Sequence, residues 1–568
     1  MRYNWQLRNT EADFDGLGTY HPILNKLLAK LNLQQAEIDK FLNPSLSDLP
    51  STDSLSEIDQ AVVAITKYKH NKHKIIIHGD YDTDGIVATS ILWDFLYRKL
   101  SINCVPIIPN RFEDGYGLSE NTIAKAKAQG AKLIITVDCG IKDIELISKH
   151  PELQFIITDH HAFPTSDAGE PVVPKADNLI AVIHPQHPEY KYPFKEICGA
   201  NVAWKLIIAL VKKLKLKFDP NTYLPLVALA TVTDVMPLTG ENRIIVKKGV
   251  EQMKDFKNIG FETLLETISL DKSQIQTYHL GYVIGPNFNA TGRMKDAIDG
   301  VRLLSTEDKT KSRILAKTIN ELNQQRQQLS ESLFQTASET KLDTPKVIIA
   351  YGNEWPEGVI GLIAGKLCER YYKPSIVMSI DNHKKTIKGS ARSIGAFNIT
   401  EALAACSMYL DRYGGHKQAA GFSVKFEYLT EFIETFKDYV TQNLDSADLI
   451  PKLEIDAKLM PEDISIGLVK TIEALEPFGN ANTKPKFLIE QYEIIENKII
   501  GNGEKHYKLI LSKNGINLTA LAFNKKELIE KIKPGDIIDV VGCPSTNKWN
   551  GREYLQFEII DLKKSNED

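Results

Sequence analysis

Three short stretches of this 568-residue chain place acids and histidines directly after apolar runs. In Ile75-Ile76-Ile77-His78-Gly79-Asp80-Tyr81-Asp82-Thr83-Asp84-Gly85, a hydrophobic strand ends in one histidine and three alternating carboxylates. In Phe155-Ile156-Ile157-Thr158-Asp159-His160-His161, a short apolar run ends in an acid and two imidazoles. Between them, Leu133-Ile134-Ile135-Thr136-Val137-Asp138 brings a third strand to an aspartate. Carboxylates and imidazoles together suit Mn²⁺ or Mg²⁺, with Zn²⁺, Fe and Co as further options, and no thiolate cluster argues for a structural zinc. Acids placed this close repel unless a multivalent cation neutralises them. One bridging aspartate can hold two ions about 3.5–4 Å apart, and such a pair activates water and clamps both oxygens of an in-line displacement at phosphorus. The plainer alternative is that each Asp caps a helix after a strand. Caps need no adjacent histidines, so three such ends on one sheet edge favour a single site.

The elements that must position these residues follow from pattern. Open parallel sheets bind ligands in the crevice beyond the carboxyl ends of their strands. Residues 55–270 alternate strand and helix, as in a doubly wound α/β domain, with a helix at 57–68, a strand at 74–78 and a helix at 85–100. The start of that last helix offers a dipole favourable to phosphate. Residues 1–50 read as helical, punctuated by Pro44 and Pro50. Residues 303–341 contain almost no Gly or Pro, and Leu315, Ile319, Leu322, Leu329 and Leu333 fall on one stripe of a long polar helix, a semi-rigid connector between two lobes. Residues 345–445 form a second α/β lobe with strands at 346–350 and 375–379. Residues 450–563 alternate with period two at 452–457, 507–511, 518–523, 536–541 and 554–560, five strands that fit an OB-like barrel.

The ordered series HGDYDTDG at 78–85, PNRFEDGYGLS at 109–119, TVDCGI at 136–141, TDHH at 158–161, TDVMPLTGENR at 233–243, GPNFNATGRM at 285–294, GSARS at 389–393 and GGHKQAAG at 414–421 resembles the DHH phosphoesterase family. Within that family it is similar to the bacterial RecJ single-strand-specific exonucleases, and the resemblance runs from near Leu17 to near Ile560. It implies a helical segment (1–50), a doubly wound parallel-sheet DHH catalytic domain (55–300), a connecting helix (301–343), a DHH-associated substrate-binding domain (344–447) and an OB-like nucleic-acid-binding β-barrel (450–563). It implies that His78 and Asp82 hold one metal, that Asp84, His160 and Asp234 hold the other, that Asp138 bridges them, and that His161 faces the phosphate under attack. No ligand position of the family pattern is replaced. Asp80 and Asp159 remain open between metal contact and support of a neighbouring histidine. The expected activity is 5′-to-3′ digestion of single-stranded DNA to 5′-mononucleotides with two divalent ions, Mn²⁺ or Mg²⁺. The expected setting is recombination, mismatch repair and base excision repair, with a RecQ-type helicase and a single-stranded-DNA-binding protein as partners.

Substrate contacts are expected from Arg111, Arg293, Ser390, Arg392, Gly415 and His416. Arg392 can grip a phosphate bidentately. The paired glycines before His416 either free backbone N–H groups for an anion or form a turn leading into a helix. Lys548, Trp549, Arg552 and Tyr554 supply cations and stacking faces for a single strand, although Trp549 is equally well read as a packed hairpin tip. Phe478, Lys484 and Lys486 form a second candidate rim.

Composition sets the frame. The length implies three or four domains. Six cysteines at irregular spacing, without a CxxC pair, suit a reducing compartment. No apolar leader and no run near the ~20 residues of a membrane span is visible, so a soluble, cytoplasmic protein is expected. A net charge of -4 does not advertise a nucleic-acid binder. Two other readings stay open: a DHH enzyme acting on small phosphates, and a non-catalytic scaffold that binds single strands.

Overall fold

The computed structural model describes residues 3–8, 22–31, 33–166, 169–501, 505–549 and 551–565, with the side chains of Asp343, Lys548 and Trp549 outside that description. Near the N-terminus Asn4–Leu7 is a strand, β1, followed by helices Pro22–Ala29 and Gln35–Leu42. The first fifty residues are therefore not wholly helical. Both helices bury their apolar faces in the core of the C-terminal domain, where Leu24, Leu28, Ile38 and Phe41 meet Leu468 and Phe487.

The first lobe begins with α1 (Ile58–His70), β2 (Lys74–Gly79) and α2 (Thr83–Trp93), then β3 (Cys104–Ile107), β4 (Ala131–Val137), β5 (Gln154–Thr158) and β6 (Leu179–Ile183). Their continuous apolar runs belong to a parallel sheet covered on both faces, and all neighbouring pairs are parallel. The spatial order is β3-β2-β4-β5-β6. Counted within the sheet this is 2-1-3-4-5, so the winding reverses between β2 and β4. Doubly wound sheets bind their ligands at that switch point. The loops after β2, β4 and β5 leave the sheet side by side.

The alternation expected through residue 270 ends at β6. From α3 (Gly199–Leu214) and α4 (Leu224–Thr233) through α5 (Gly285–Met294), the described residues form helices and no strand. The run Leu224 to Thr231 is buried on every side, and a helix apolar all round carries no 3.6-residue signal. The connector is α6 (Lys309–Thr340), capped by Asp308 and preceded by a separate helix, Ile298–Ser305. Ile319 is buried and Leu315, Leu322, Leu329 and Leu333 are half-buried, while Ala316, Asn323, Ser330 and Ala337 recur as small buried residues.

The second lobe contains β7 (Leu342–Asp343), β8 (Ile348–Asn353), α7 (Glu357–Tyr371), β9 (Ser375–Asp381), β10 (Thr386–Arg392), β11 (Leu410–His416) and β12 (Ala419–Val424), in the order β11-β12-β10-β9-β8-β7. α6 packs on both α5 and α7 and so joins the lobes. Gly414 and Gly415 lie within β11, whose hairpin to β12 turns at Lys417 and Gln418, so no helix starts there.

The last domain comprises β13 (Lys452–Ile455), β14 (Ala457–Lys458), β15 (Phe487–Ile500), β16 (His506–Lys513), β17 (Ile516–Phe523), β18 (Ile537–Trp549) and β19 (Arg552–Lys564). Pairing runs β15-β16-β17-β19-β18 and returns to β15, closing a five-stranded barrel. The strand expected at 452–457 is not a stave of it: β13 pairs in parallel with β1. Its place belongs to β15, which sequence pattern missed. Register shifts at Ile489/Tyr492 and Ile494/Glu496, with Gln491 at φ 58°, break the period of two. Among the described residues no helix is long and apolar enough to cross a membrane.

Candidate metal centre and phosphate cleft

The acids after β2 are fixed by the start of α2. Asp82 is its N-cap, with Oδ1 accepting from Gly85 N at 3.1 Å. The capping alternative is thus true of this residue without removing it from the site. Asp84 lies in the first turn, where its oxygens accept from Gly199 N (2.6 Å) and Ala200 N (2.8 Å) at the start of α3. A side chain on Gly199 would place its Cβ 2.6 Å from Asp138 Oδ1, so this approach requires glycine. Asp138 follows β4 in a left-handed conformation, φ 62°. Asp159 accepts from Ile141 N (2.9 Å), His160 N (2.7 Å), His161 N (3.0 Å) and His161 Nδ1 (2.8 Å), which orients both histidines. Asp234 ends α4.

His160 Nε2 stands 3.1 Å from Asp138 Oδ1, 3.5 Å from Asp234 Oδ2 and 3.8 Å from Asp84 Oδ2. Three groups place ligand atoms within 4.8 Å of one another: Asp138, His160 and His161; Asp84, His160 and Asp234; Asp80, Asp82 and Asp138. The structure thereby gathers Asp82, Asp84, Asp138, His160, His161 and Asp234, and adds Asp80. His78 is in none of these groups. Its Nε2 faces Gly117 O at 3.1 Å, while its Nδ1 is buried without a hydrogen-bond partner. Asp80 Oδ1, Asp138 Oδ1, His160 Nε2 and Asp234 Oδ2 are buried and equally unpartnered. Buried polar atoms are ordinarily satisfied. Four orphans of ligating type among the clustered residues, with a fifth on His78 at the end of β2, fit divalent cations.

The electrostatics agree. Burial, then the charge of Asp84 and Asp82, lifts the Asp138 carboxyl well above its ordinary range; Asp234 is raised well above its own by burial and the same neighbours. Burial and Asp82 do the same to Asp80. Burial lowers His78 to about 4 and also lowers His160, leaving both neutral and able to ligate. Burial disfavours charge on His161, but the hydrogen bond and charge of Asp159 outweigh it and raise the imidazole. Tyr116, not singled out from sequence, has its hydroxyl 3.0 Å from His161 Nδ1 and donates to Asp138 O at 3.3 Å. Its only signal was its place in the stretch 109–119.

A cationic wall faces this acidic crevice. Arg111 lies over the Tyr81 ring, 5.0 Å from its centroid. Arg293, on α5, donates to Gly358 O at 3.2 Å across the lobes. Burial, with the charges of Arg111, Arg326 and Arg392, lowers its pKa to about 10. Arg392 donates to Ser390 Oγ (3.1 Å) and Ala391 O (2.8 Å). A Cβ on Gly361 would meet Ser390 Oγ at 3.0 Å and Arg392 Nη2 at 3.3 Å, so both residues lie against the first turns of α7. Strand register puts His416, beyond Ala419, on the same sheet face as Arg392. Gly415 pairs with Ala420 on the opposite face at φ 149°. Arg326 of α6 joins the cluster and was missed, because a lone arginine on a polar helix reads as a solvated charge. Guanidinium groups beside a helix N-terminus make a phosphate site.

Three family models match the chain: the DHH family, N-terminal domain, over residues 74–231; the DHHA1 domain over 344–442; and the RecJ OB domain over 455–561. The single-stranded-DNA-specific exonuclease RecJ of Bacillus subtilis is 35% identical over 551 residues, spanning 96% of this chain and 68% of the relative. The Escherichia coli protein of the same name is 31% identical over 592 residues and 99% of both chains. The chain belongs to the RecJ family. Its fold matches the crystal structure of Thermus thermophilus RecJ in complex with Mn²⁺, with a TM-score of 0.79, 26% identity, and coverage of 99% of this chain and 79% of that one. A second RecJ structure bound to manganese is 30% identical, with a TM-score of 0.60 over 71% of this chain and 98% of that one.

Within the stretch that matches the RecJ OB domain, Arg552 and Tyr554 are exposed on β19. The side chains of Lys548 and Trp549 lie outside the described residues. Lys484 of the second rim is paired with Glu558 at 3.0 Å, and Phe478 packs against the barrel core. That rim is more structural than expected.

Proposed function

We propose that this RecJ-family chain digests single-stranded DNA from the 5′ end, releasing 5′-mononucleotides, in recombination and repair. The observation that carries this reading is the crevice of unpartnered carboxylate and imidazole atoms facing arginines from both lobes. Asp84, His160 and Asp234 would hold one divalent ion. Asp82 and Asp80, with His78 whose Nδ1 is buried and unpartnered, would hold the second, and Asp138 belongs to a ligand group with each set. Mn²⁺ and Mg²⁺ both suit these donors. Two such ions supply an activated water at neutral pH and neutralise charge at phosphorus.

The chain's own groups do the rest. The N-terminus of α3 fixes Asp84, and Asp159 fixes His160 and His161. His161, which the Asp159 carboxylate biases toward its protonated form, donates to a non-bridging oxygen as negative charge develops there. Arg111, Arg293, Arg392 and Ser390 anchor the terminal phosphate, with His416 on the same face. A strand anchored there presents its next phosphodiester to the acidic crevice. The barrel, through Arg552 and Tyr554 together with Lys548 and Trp549, guides the strand. The six cysteines are unpaired and suit the reducing cytoplasm, where we place the protein. A RecQ-type helicase and a single-stranded-DNA-binding protein, as partners, rest on family resemblance.

A time course on end-labelled DNA tests this. Wild type with Mn²⁺ or Mg²⁺ should release a 5′ label at once as mononucleotide, from single strands only, and Asp138→Ala should not. Equal rates on dinucleotides and long strands would favour an enzyme of small phosphates. DNA bound but left whole by both proteins would overturn the reading.

A further inference from the structure

The end of α4 that carries Asp234 is flanked by non-polar surface with no role in metal or phosphate binding. A π-helical turn, Leu280–Ile284, packs against α4. A Cβ on Gly281 would lie 3.4 Å from Val232 Cγ1, and one on Gly285 would lie 2.1 Å from Thr233 Cγ2. Gly285 O also accepts from the hydroxyl of Thr83 at 3.1 Å, between Asp82 and Asp84. Tyr282 stands between these two glycines. At 74% exposure it is the most exposed large hydrophobic side chain among the described residues. Its ring stacks on Tyr278, itself 62% exposed, with centroids 5.1 Å apart and planes at 22°.

Val235, the residue after Asp234, is 63% exposed and sits at φ 56°. A β-branched residue in the left-handed region is a strained choice where glycine would fit without cost. Asn480 Nδ2 donates to its carbonyl at 2.7 Å and holds the turn in place. Strain of this kind gathers at ligand clamps, and this one lies next to an acid of the metal crevice.

We propose that Tyr282, backed by Tyr278, and Val235 form a non-polar shelf beside the metal crevice on which unpaired bases of the bound strand stack. The proposal rests on the single-strand reading above and adds to it a basis for strand selectivity. Every base offers a π-face to an aromatic ring, whatever the sequence. In a duplex those faces are covered by neighbouring pairs, so only an unpaired base can settle on the shelf. The Tyr278–Tyr282 stack pre-orders the ring, so little side-chain freedom is lost when a base arrives.

The test is equilibrium binding with Ca²⁺ in place of Mn²⁺, comparing a single-stranded oligonucleotide with one carrying abasic sites near its 5′ end. For wild type, the abasic sites should weaken binding about tenfold, within the range for one stacked base. Tyr282→Ala should bind intact DNA about tenfold more weakly and show no further abasic penalty, while Tyr282→Phe should behave as wild type. Val235→Gly should weaken binding while raising the melting temperature, which separates contact from misfolding. An abasic penalty of equal size in wild type and Tyr282→Ala would overturn the shelf and leave the patch to a protein partner. Binding needs no cleavage, so failure of the exonuclease reading would register separately, as bound DNA that Mn²⁺ does not degrade.

Discussion

Replacing Asp138 by Asn separates what the acidic crevice costs the fold from what it gains by holding metal. Asp138 is 2% exposed, and its carboxylate shares a 4.8 Å neighbourhood with those of Asp80 and Asp82. At that separation, with an effective dielectric near 20, two like charges repel by roughly 3 kcal/mol. Proton uptake caps the penalty, because burial and the charge of Asp84 and Asp82 already hold the Asp138 carboxyl well above its ordinary pKa. A carboxyl with a higher pKa folded than unfolded costs nothing while protonated in both states. Its cost grows as pH rises from the unfolded value, about 4, through the folded one. Asn keeps the shape, tolerates φ 62° and carries no charge. Metal-free Asp138→Asn should therefore be more stable than metal-free wild type at pH 8, by about 2–4 kcal/mol, with a much smaller gap at pH 5. That corresponds to roughly 5–10 °C in the melting of a lobe this size.

Scanning calorimetry or thermal-shift melting in chelator, at both pH values, reads this directly. Adding Mn²⁺ then reverses the order. Wild type should gain about 2.7 kcal/mol when the ion is at a hundredfold excess over its dissociation constant, and the variant should gain little. A metal-free variant that melts below wild type at pH 8, or equal Mn²⁺ gains in both proteins, would refute the account of the crevice as mutually repelling carboxylates held for a cation.

Three further outcomes follow from the same geometry. Gly199→Ala drives a Cβ to within 2.6 Å of Asp138 Oδ1; melting should show a loss of about 1–3 kcal/mol, and titration should show a weakened Mn²⁺ response. On the proposed reading Arg392→Ala removes a charged phosphate contact worth about 1.5–3 kcal/mol, so kinetics should show the preference for 5′-phosphorylated over 5′-hydroxyl strands falling ten- to a hundredfold. Arg243→Ala strands the carbonyls of Phe41, Leu475 and Glu476, to which Arg243 donates at 2.7–2.8 Å. Denaturant titration should show a loss of about 2–4 kcal/mol, with metal binding by the folded protein unchanged.

The acidic crevice was legible because each of its donors ends an apolar run, so local sequence both marked the strand and delivered the ligand. Asp234 needed the resemblance more, since the run before it is a helix buried on all sides and not a strand. What remained hidden is of two kinds. Backbone donors such as Gly199 N and Ala200 N carry no side-chain signature. Groups made important only by a distant segment, such as Arg326 and Tyr116, read locally as ordinary surface residues. The fold shows the same division. The parallel sheet and the connecting helix follow from periodicity, whereas β15 is hidden by its own bulges. The β1–β13 pairing joins the N-terminal strand to the start of the last domain through four residues a side, too short a match for pattern to find.

On the proposed reading, α5 sets the spacing between phosphate anchor and metal crevice. Asn289, near its middle, accepts through Oδ1 from Thr83 N (2.8 Å) and the Thr83 hydroxyl (2.9 Å), and so locks the turn that carries Asp82 and Asp84. One turn later the same helix presents Arg293, and Gly292 lies so close to Tyr81 that a Cβ would meet its carbonyl at 2.4 Å. Anchor and crevice therefore share one rigid element of the first lobe. The second lobe docks on that element through the Gly358 carbonyl and adds Arg392 and Ser390. Closing or opening the lobes changes how firmly the terminal phosphate is gripped. It leaves the distance from Arg293 to the metal crevice unchanged. On this reading product length is a property of α5, and the second lobe's grip sets how long the strand stays.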